Sequence, residues 1–217
     1  MRISPPKLLA AVEHYRAHDP RMHQVIQRVG PCTLSLHRDR FDLLVRSIVS
    51  QQISTAAARS IRLKLSTLLE ANDLTAEMLA AAPDATLRAA GLSGQKVAYL
   101  RDLSERVLSG QLQLQRLGRC PDEDVIEQLT AVHGIGRWTA QMFLIFGLGR
   151  LDVFPEGDLG VRMAIRKLYE LPDVPTPRAS RELTAHWSPY ASIGAWYAWR
   201  LVDQKTESAP PATGYPV

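Results

Sequence analysis

An all-α fold is predicted for this 217-residue chain, on three observations. Apolar residues recur at helical spacing along nearly its whole length. The alternation of apolar and polar residues that marks a half-buried strand is almost missing, with Leu34-Ser35-Leu36 its one short candidate. No self-similarity occurs at solenoid periods and no heptad runs on, so the helices should cross irregularly around a shared core.

Each element has its own signal. Lys7 to His18 is a first helix. Phe41 to Ser50 puts Phe41, Leu44, Val45 and Ile48 on one face. Ser54 is placed to cap a helix from Thr55 to Leu69. Thr75 to Ala81 and Asp84 to Ala90 are two short helices split at Pro83, and Gly91-Leu92-Ser93-Gly94 is a loop. Gln95 to Leu108 follows. Asp122 to Val132 carries Val125, Ile126, Leu129 and Val132 on one face, and Gly134-Ile135-Gly136 stops it. Arg137 to Phe146 is its partner helix. Leu159 to Tyr169 comes next, then a link with Pro172, Pro175 and Pro177. The last pair spans Arg178 to Trp187 and Pro189 to Lys205. A frayed tail is expected over 207–217.

Composition narrows the class. The hydrophobic share of 46% is ordinary for a soluble protein. No apolar run is long enough to span a bilayer, and the start has no signal-peptide core, so a cytoplasmic protein without membrane contact is expected. Cys32 and Cys120 are the only cysteines. Two distant thiols read as reduced residues, and they cannot supply four thiolates to an iron–sulfur cluster. His14 and His18 are spaced for zinc but lack companion ligands; a solvated helix face explains them as well. The net charge of +4 leans towards a polyanionic partner. Arginine outnumbers lysine, which suits phosphate and equally reflects codon usage.

Two motifs carry chemistry. Leu129 to Ala140 reads L-T-A-V-H-G-I-G-R-W-T-A. A tight turn between helices leaves backbone N–H groups without partners, and Gly134 and Gly136 let that backbone approach a phosphate. Thr139 adds a hydroxyl, Arg137 a cation, and Ile135 should pack inward. Such contacts position nucleic acid without reading its sequence. A plain helix–turn–helix connection is the competing explanation. The second motif is V-F-P-E-G-D-L-G-V, in which Asp158 begins a helix with Val161, Ala164, Ile165 and Leu168 inward. An N-cap explains Asp158 by itself. Capping and chemistry are compatible, because helix N–H groups stabilise an anion.

These strings resemble the helix-hairpin-helix DNA glycosylase superfamily, and within it the 3-methyladenine DNA glycosylase II (AlkA-type) branch. The similarity extends through F-D-L-L-V-R-S-I-V-S-Q-Q-I-S-T-A-A-A from Phe41 and through Val153 to Ala164, and runs from about Phe41 to Leu201. It implies a two-lobed helical core without the N-terminal β domain of larger relatives. It also implies a monofunctional enzyme that flips an alkylated base, of the 3-methyladenine or 7-methylguanine type, out of double-stranded DNA and cleaves its glycosidic bond. Asp158 is then the catalytic carboxylate, stabilising an oxocarbenium-like sugar. Trp138 stands where lyase members carry a nucleophilic lysine, so an abasic site is the expected product.

The resemblance assigns further residues. Trp138 and Trp199 hold the extruded base, whereas Trp187 and Trp196 fall to the core. Met142 and Leu159 line the pocket where relatives carry tyrosines. Gln52 matches the position of the side chain that fills the gap in the duplex, although two solvated loop glutamines, Gln51 and Gln52, would look the same. Lys96, at a loop-to-helix junction, faces either a phosphate or water. The carbonyls of Thr130, Val132 and Ile135 match a site for Na+ or K+; no other cofactor is implied. One lobe is expected over 41–150 and the other from 1–40 with 151–206, with the DNA groove between them. A monomer is expected. A non-catalytic DNA-binding protein remains the competing class, and Asp158 argues against it, since a binder gains nothing from an acid facing phosphates.

Overall fold

The computed structural model describes residues 3–71 and 73–203. The tail expected over 207–217 lies outside the described residues. Those residues form helices and connecting turns without a strand, so Leu34–Leu36 is not one. None of the helices is long and apolar enough to cross a membrane. The described chain divides into a terminal unit, 3–36 with 144–203, and a central unit, 37–143.

The terminal unit contains α1 (Pro5–His18), α2 (Pro20–Val29), α10 (Leu159–Tyr169), α11 (Pro177–Leu183) and α12 (Ala191–Asp203). Helix α2 adds to the expected set. Its start is written locally: Asp19 accepts the Met22 N–H at 3.0 Å, and Pro20 occupies the first turn. Helix α12 is buried over most of its surface, from Ala191 to Trp199, and packs against α10 and α2. An apolar helix of this kind belongs in the middle of its layer. Trp187 and Trp196 are both buried here. The pair His14 and His18 stacks at 4.5 Å; His14 Nε2 also meets the His186 carbonyl, and His18 Nδ1 the His14 carbonyl. The long helix expected from Arg178 to Trp187 is split: α11 ends at Leu183 and a short 3-10 turn covers Ala185–Trp187.

A buried carboxylate organises this unit. Asp19 Oδ2 accepts from the Tyr169 hydroxyl at 2.6 Å, Trp187 Nε1 at 2.9 Å and His186 Nε2 at 3.0 Å. Burial alone would raise its pKa. The Met22 N–H and the three side-chain donors outweigh burial and hold the carboxyl below its ordinary value. Its contribution to stability is therefore complete above the ordinary Asp pKa of about 3.9, and is lost as pH falls through the depressed folded value. Asp19→Asn is expected to cost about 3 kcal/mol at pH 7. Urea unfolding at pH 7 and pH 3 checks this: the gap between variant and parent should narrow at the acid end, and a gap that stays constant would contradict it.

The central unit contains α3 (Arg40–Ser50), α4 (Thr55–Leu68), α5 (Ala76–Ala81), α6 (Asp84–Ala89), α7 (Gly94–Leu108), α8 (Asp122–Thr130) and α9 (Arg137–Met142). Caps set the starts. Asp39, Ser54, Thr75 and Ser93 each accept a backbone N–H in the first turn that follows. Helix α3 buries Leu43, Leu44, Val45, Ile48 and Val49. Asp42 bonds Arg46 within α3 at 2.6 Å and ties α3 to α4 through Arg62 at 2.7 Å. On α7, Arg101 donates to the carbonyls of Leu79, Ala80 and Ala82, closing the last turn of α5.

The helix expected from Arg137 to Phe146 changes form within its length. It is α-helical to Met142 and then a π-helix over Phe143–Leu148. The change of unit falls inside that segment, so Leu144 to Arg150 group with the terminal unit rather than with 41–143 as expected. Phe146 shows why: its ring stacks on Trp199 of α12 at 5.9 Å and 23°.

Candidate active site

The terminal unit presents a buried acid at the start of α10. The chain turns at Pro155-Glu156-Gly157, where the Asp158 N–H donates to the Pro155 carbonyl at 2.9 Å. Asp158 is then the N-cap of α10, and its Oδ1 accepts the Val161 N–H at 2.8 Å. The same oxygen accepts Trp199 Nε1–H at 3.1 Å. Both side chains are 3% exposed. A carboxylate that accepts from a helix N-terminus and an indole N–H is fixed in orientation. Glu156, its neighbour, is held by Arg181 at 2.5 Å.

Trp199 therefore does something its sequence position did not reveal. One ring face lies against Phe146 and its N–H points to Asp158. Leu159, the first residue of α10, is 59% exposed beside the buried acid. Met163, one turn on, is exposed as well.

The central unit presents the hairpin between α8 and α9. Gly134 adopts φ +82°. A Cβ there would fall inside the ring of Tyr99 from α7, so both backbone and packing require glycine. Ile135 is buried, and its N–H closes the turn on the Val132 carbonyl at 3.1 Å. The N–H groups of Gly134 and Gly136 have no hydrogen-bond partner among the described residues. Gly136 and Arg137 are exposed, and Trp138 is half-buried. Arg137 forks onto Glu123 with contacts of 2.9 and 2.7 Å. That pair is largely solvated, so a phosphate can compete for the guanidinium.

Two hairpin residues sit differently from the expectation. Thr139 is buried, so its hydroxyl is not offered to a surface phosphate; α9 is covered from Thr139 to Met142. Met142 has no exposed surface at all. The reason is that α9 runs straight into the apolar segment Phe143-Leu144-Ile145, and its inner face takes in both residues.

Gln52 lies in the turn between α3 and α4, exposed, with φ +58°. A non-glycine residue held in the left-handed region costs about 1 kcal/mol or more and commonly marks a functional turn. Lys96 faces neither phosphate nor water alone: its ammonium donates to the Val49 carbonyl at 2.7 Å, tying α7 to the last turn of α3. Three residues outside the sequence assignment also converge on the hairpin. Gln51 Nε2 donates to the Gly134 carbonyl at 2.8 Å, Asp102 Oδ2 accepts the His133 N–H at 2.7 Å, and Tyr99 packs under Gly134.

Residues 45–189 match a family described as HhH-GPD superfamily base excision DNA repair protein. The chain is 31% identical over 196 residues to an alkylbase DNA glycosidase-like protein, mag2, of Schizosaccharomyces pombe, covering 88% of this chain and 92% of that one. A DNA-3-methyladenine glycosidase of Bacillus halodurans has the same fold, with a TM-score of 0.82 at 35% identity over 94% of this chain and 92% of its own. A 3-methyladenine DNA glycosylase of Schizosaccharomyces pombe, solved in complex with abasic DNA, aligns with a TM-score of 0.78 at 30% identity, covering 88% of this chain and 95% of its own.

Proposed function

The chain belongs to the HhH-GPD superfamily of base excision DNA repair proteins, and from that premise we propose that it is a monofunctional DNA glycosylase. It hydrolyses the bond between deoxyribose and an alkylated base, of the 3-methyladenine or 7-methylguanine type, in duplex DNA. The single observation that carries the reading is the buried Asp158 carboxylate, oriented by the Val161 N–H and the Trp199 indole.

The chemistry follows from charge. As the glycosidic bond stretches, positive charge develops on the sugar, and a preorganised carboxylate stabilises it. An alkylated base is already cationic and leaves without a second acid. Water completes the reaction and an abasic site remains. The hairpin 131–139 contains no lysine, which supports hydrolysis over a Schiff-base lyase step. The unpartnered N–H groups of Gly134 and Gly136, with Arg137 beside them, suit a DNA phosphate. In the terminal unit, Leu159, exposed beside Asp158, supplies apolar surface for the base. The left-handed, exposed Gln52 suits a side chain that fills the gap in the duplex. Lys96 supports that turn from behind. The carbonyls of Thr130, Val132 and Ile135 are neutral oxygen donors that fit Na+ or K+ better than a divalent ion; the Val132 oxygen keeps one lone pair beyond its bond to Ile135. They would hold the hairpin's shape. The protein acts as a monomer.

Incubation of the purified chain with duplexes each carrying one lesion tests this. Free 3-methyladenine or 7-methylguanine should appear by chromatography, with alkali-labile sites in the DNA and no adduct trapped by borohydride. Lesion DNA bound but never cut would instead make the protein a non-catalytic binder. A trapped adduct would make it a lyase.

A further inference from the structure

One face of α7 serves two separate parts of the central unit. Lys96, Tyr99 and Asp102 follow at spacings of three, so they line up along that face. Lys96 holds the Val49 carbonyl, in the last turn before Gln52. Tyr99 fills the space beneath Gly134, and its hydroxyl accepts from Gln95 Nε2 at 2.5 Å. Asp102 accepts the His133 N–H at 2.7 Å and is itself steadied by Arg106, whose Nε lies 3.0 Å from both carboxylate oxygens. From the α3 side, Gln51 closes the loop by donating to the Gly134 carbonyl.

We infer that Asp102 and Gln51 are positioning residues for DNA binding, which orient the hairpin backbone and couple it to the turn that carries Gln52. The inference rests on the proposed role of the hairpin as a phosphate clamp. Two consecutive residues of the glycine turn, His133 through its N–H and Gly134 through its C=O, are pinned by side chains from outside it. Between and beyond them lie the unpartnered N–H groups of Gly134 and Gly136, the groups that would meet a phosphate. A glycine-rich turn without those anchors samples many orientations, and ordering it on binding weakens affinity.

The role of Asp102 makes a prediction against its charge. A carboxylate beside a phosphate site repels DNA, so by charge alone its removal should tighten binding. Positioning gives the opposite sign. The experiment is fluorescence anisotropy with an undamaged duplex and with a duplex carrying a tetrahydrofuran abasic analogue, over a range of salt, with thermal melts of each variant. Asp102→Ala is expected to weaken binding to both duplexes about tenfold and to flatten the salt dependence, since fewer phosphates are engaged. Asp102→Asn removes the same charge but keeps an acceptor for the His133 N–H, and should bind within about threefold of the parent. Gln51→Ala should weaken binding as Asp102→Ala does, and it decides the matter if Asp102→Ala does not fold. With enzyme held below the parent's Kd, base release should fall in step with affinity in Asp102→Ala and Gln51→Ala and stay near the parent in Asp102→Asn. Equal or tighter binding by Asp102→Ala, or an equal loss in Asp102→Asn, overturns the inference; so does parental affinity in Gln51→Ala when Asp102→Ala is unfolded. A parent that binds duplex but releases no base defeats the glycosylase reading and leaves this comparison intact.

Discussion

Asp158→Asn is expected to lower the single-turnover rate of base release by about three orders of magnitude while leaving the protein folded and bound to DNA. Asparagine is as good an N-cap as aspartate. It can keep an oxygen for the Val161 N–H and the Trp199 indole, which both bond the same Oδ1 in the parent. What it removes is the negative charge. Melting should therefore shift little, and affinity for an abasic-analogue duplex should hold or rise. Trp199→Phe tests the orienting contact separately: it keeps a ring against Phe146 but deletes the N–H, and a loss of about tenfold in rate at about 1 kcal/mol in stability is expected. Single-turnover assays at saturating enzyme, read beside melts, distinguish these outcomes. An Asp158→Asn protein with full activity would take the carboxylate out of the chemistry.

The second large effect falls at Gly134. Gly134→Ala must hold a side chain at φ +82° and place a methyl in the ring of Tyr99. The backbone and overpacking costs together come to about 2–4 kcal/mol. Relief requires the turn to change shape, and DNA affinity should fall more than tenfold with it. Gly136→Ala is the control. Gly136 has φ −94° and nothing within 4 Å of the position of a Cβ, so it should melt close to the parent. The two glycines of G-I-G thus have different tasks: one is needed for the shape of the turn, the other leaves room in front of it. Melting curves and anisotropy on the pair give the contrast, and equal stability of the two variants would contradict it.

What could be read from sequence was what chemistry writes locally. Ser54 and Asp158 are caps whose partners lie three residues away, and the G-I-G turn carries its own geometry. Helix α2 was missed, although Asp19-Pro20 at its start and Met22, Val25 and Ile26 inward mark it locally. The contacts that complete the site were not legible. Trp199 reaches Asp158 across 41 positions, Gln51 reaches Gly134 across 83, and Asp102 reaches His133 across 31. Nothing in a tryptophan, a glutamine or an aspartate announces such a partner. The burial of Thr139 and Met142 was hidden for another reason. The residues that follow them are apolar for a full turn, so helical periodicity gives no outer face to choose. The same run conceals the π-helical segment, whose wider turn has no compositional mark.

The backbone of Gln52 has a consequence for evolution. Among the described residues, three that are not glycine, Gln52, Glu70 and Glu170, occupy the left-handed region. Glycine takes up that conformation without strain, so each position offers a gain in thermal stability to any lineage that accepts the change. At Glu70 and Glu170, the second of which ends α10, the change is close to free. At position 52 it would delete the side chain proposed to enter the duplex. Pressure for heat resistance and pressure for repair therefore pull this one codon in opposite directions, and a collection of variants chosen only for melting temperature would drift away from excision there first.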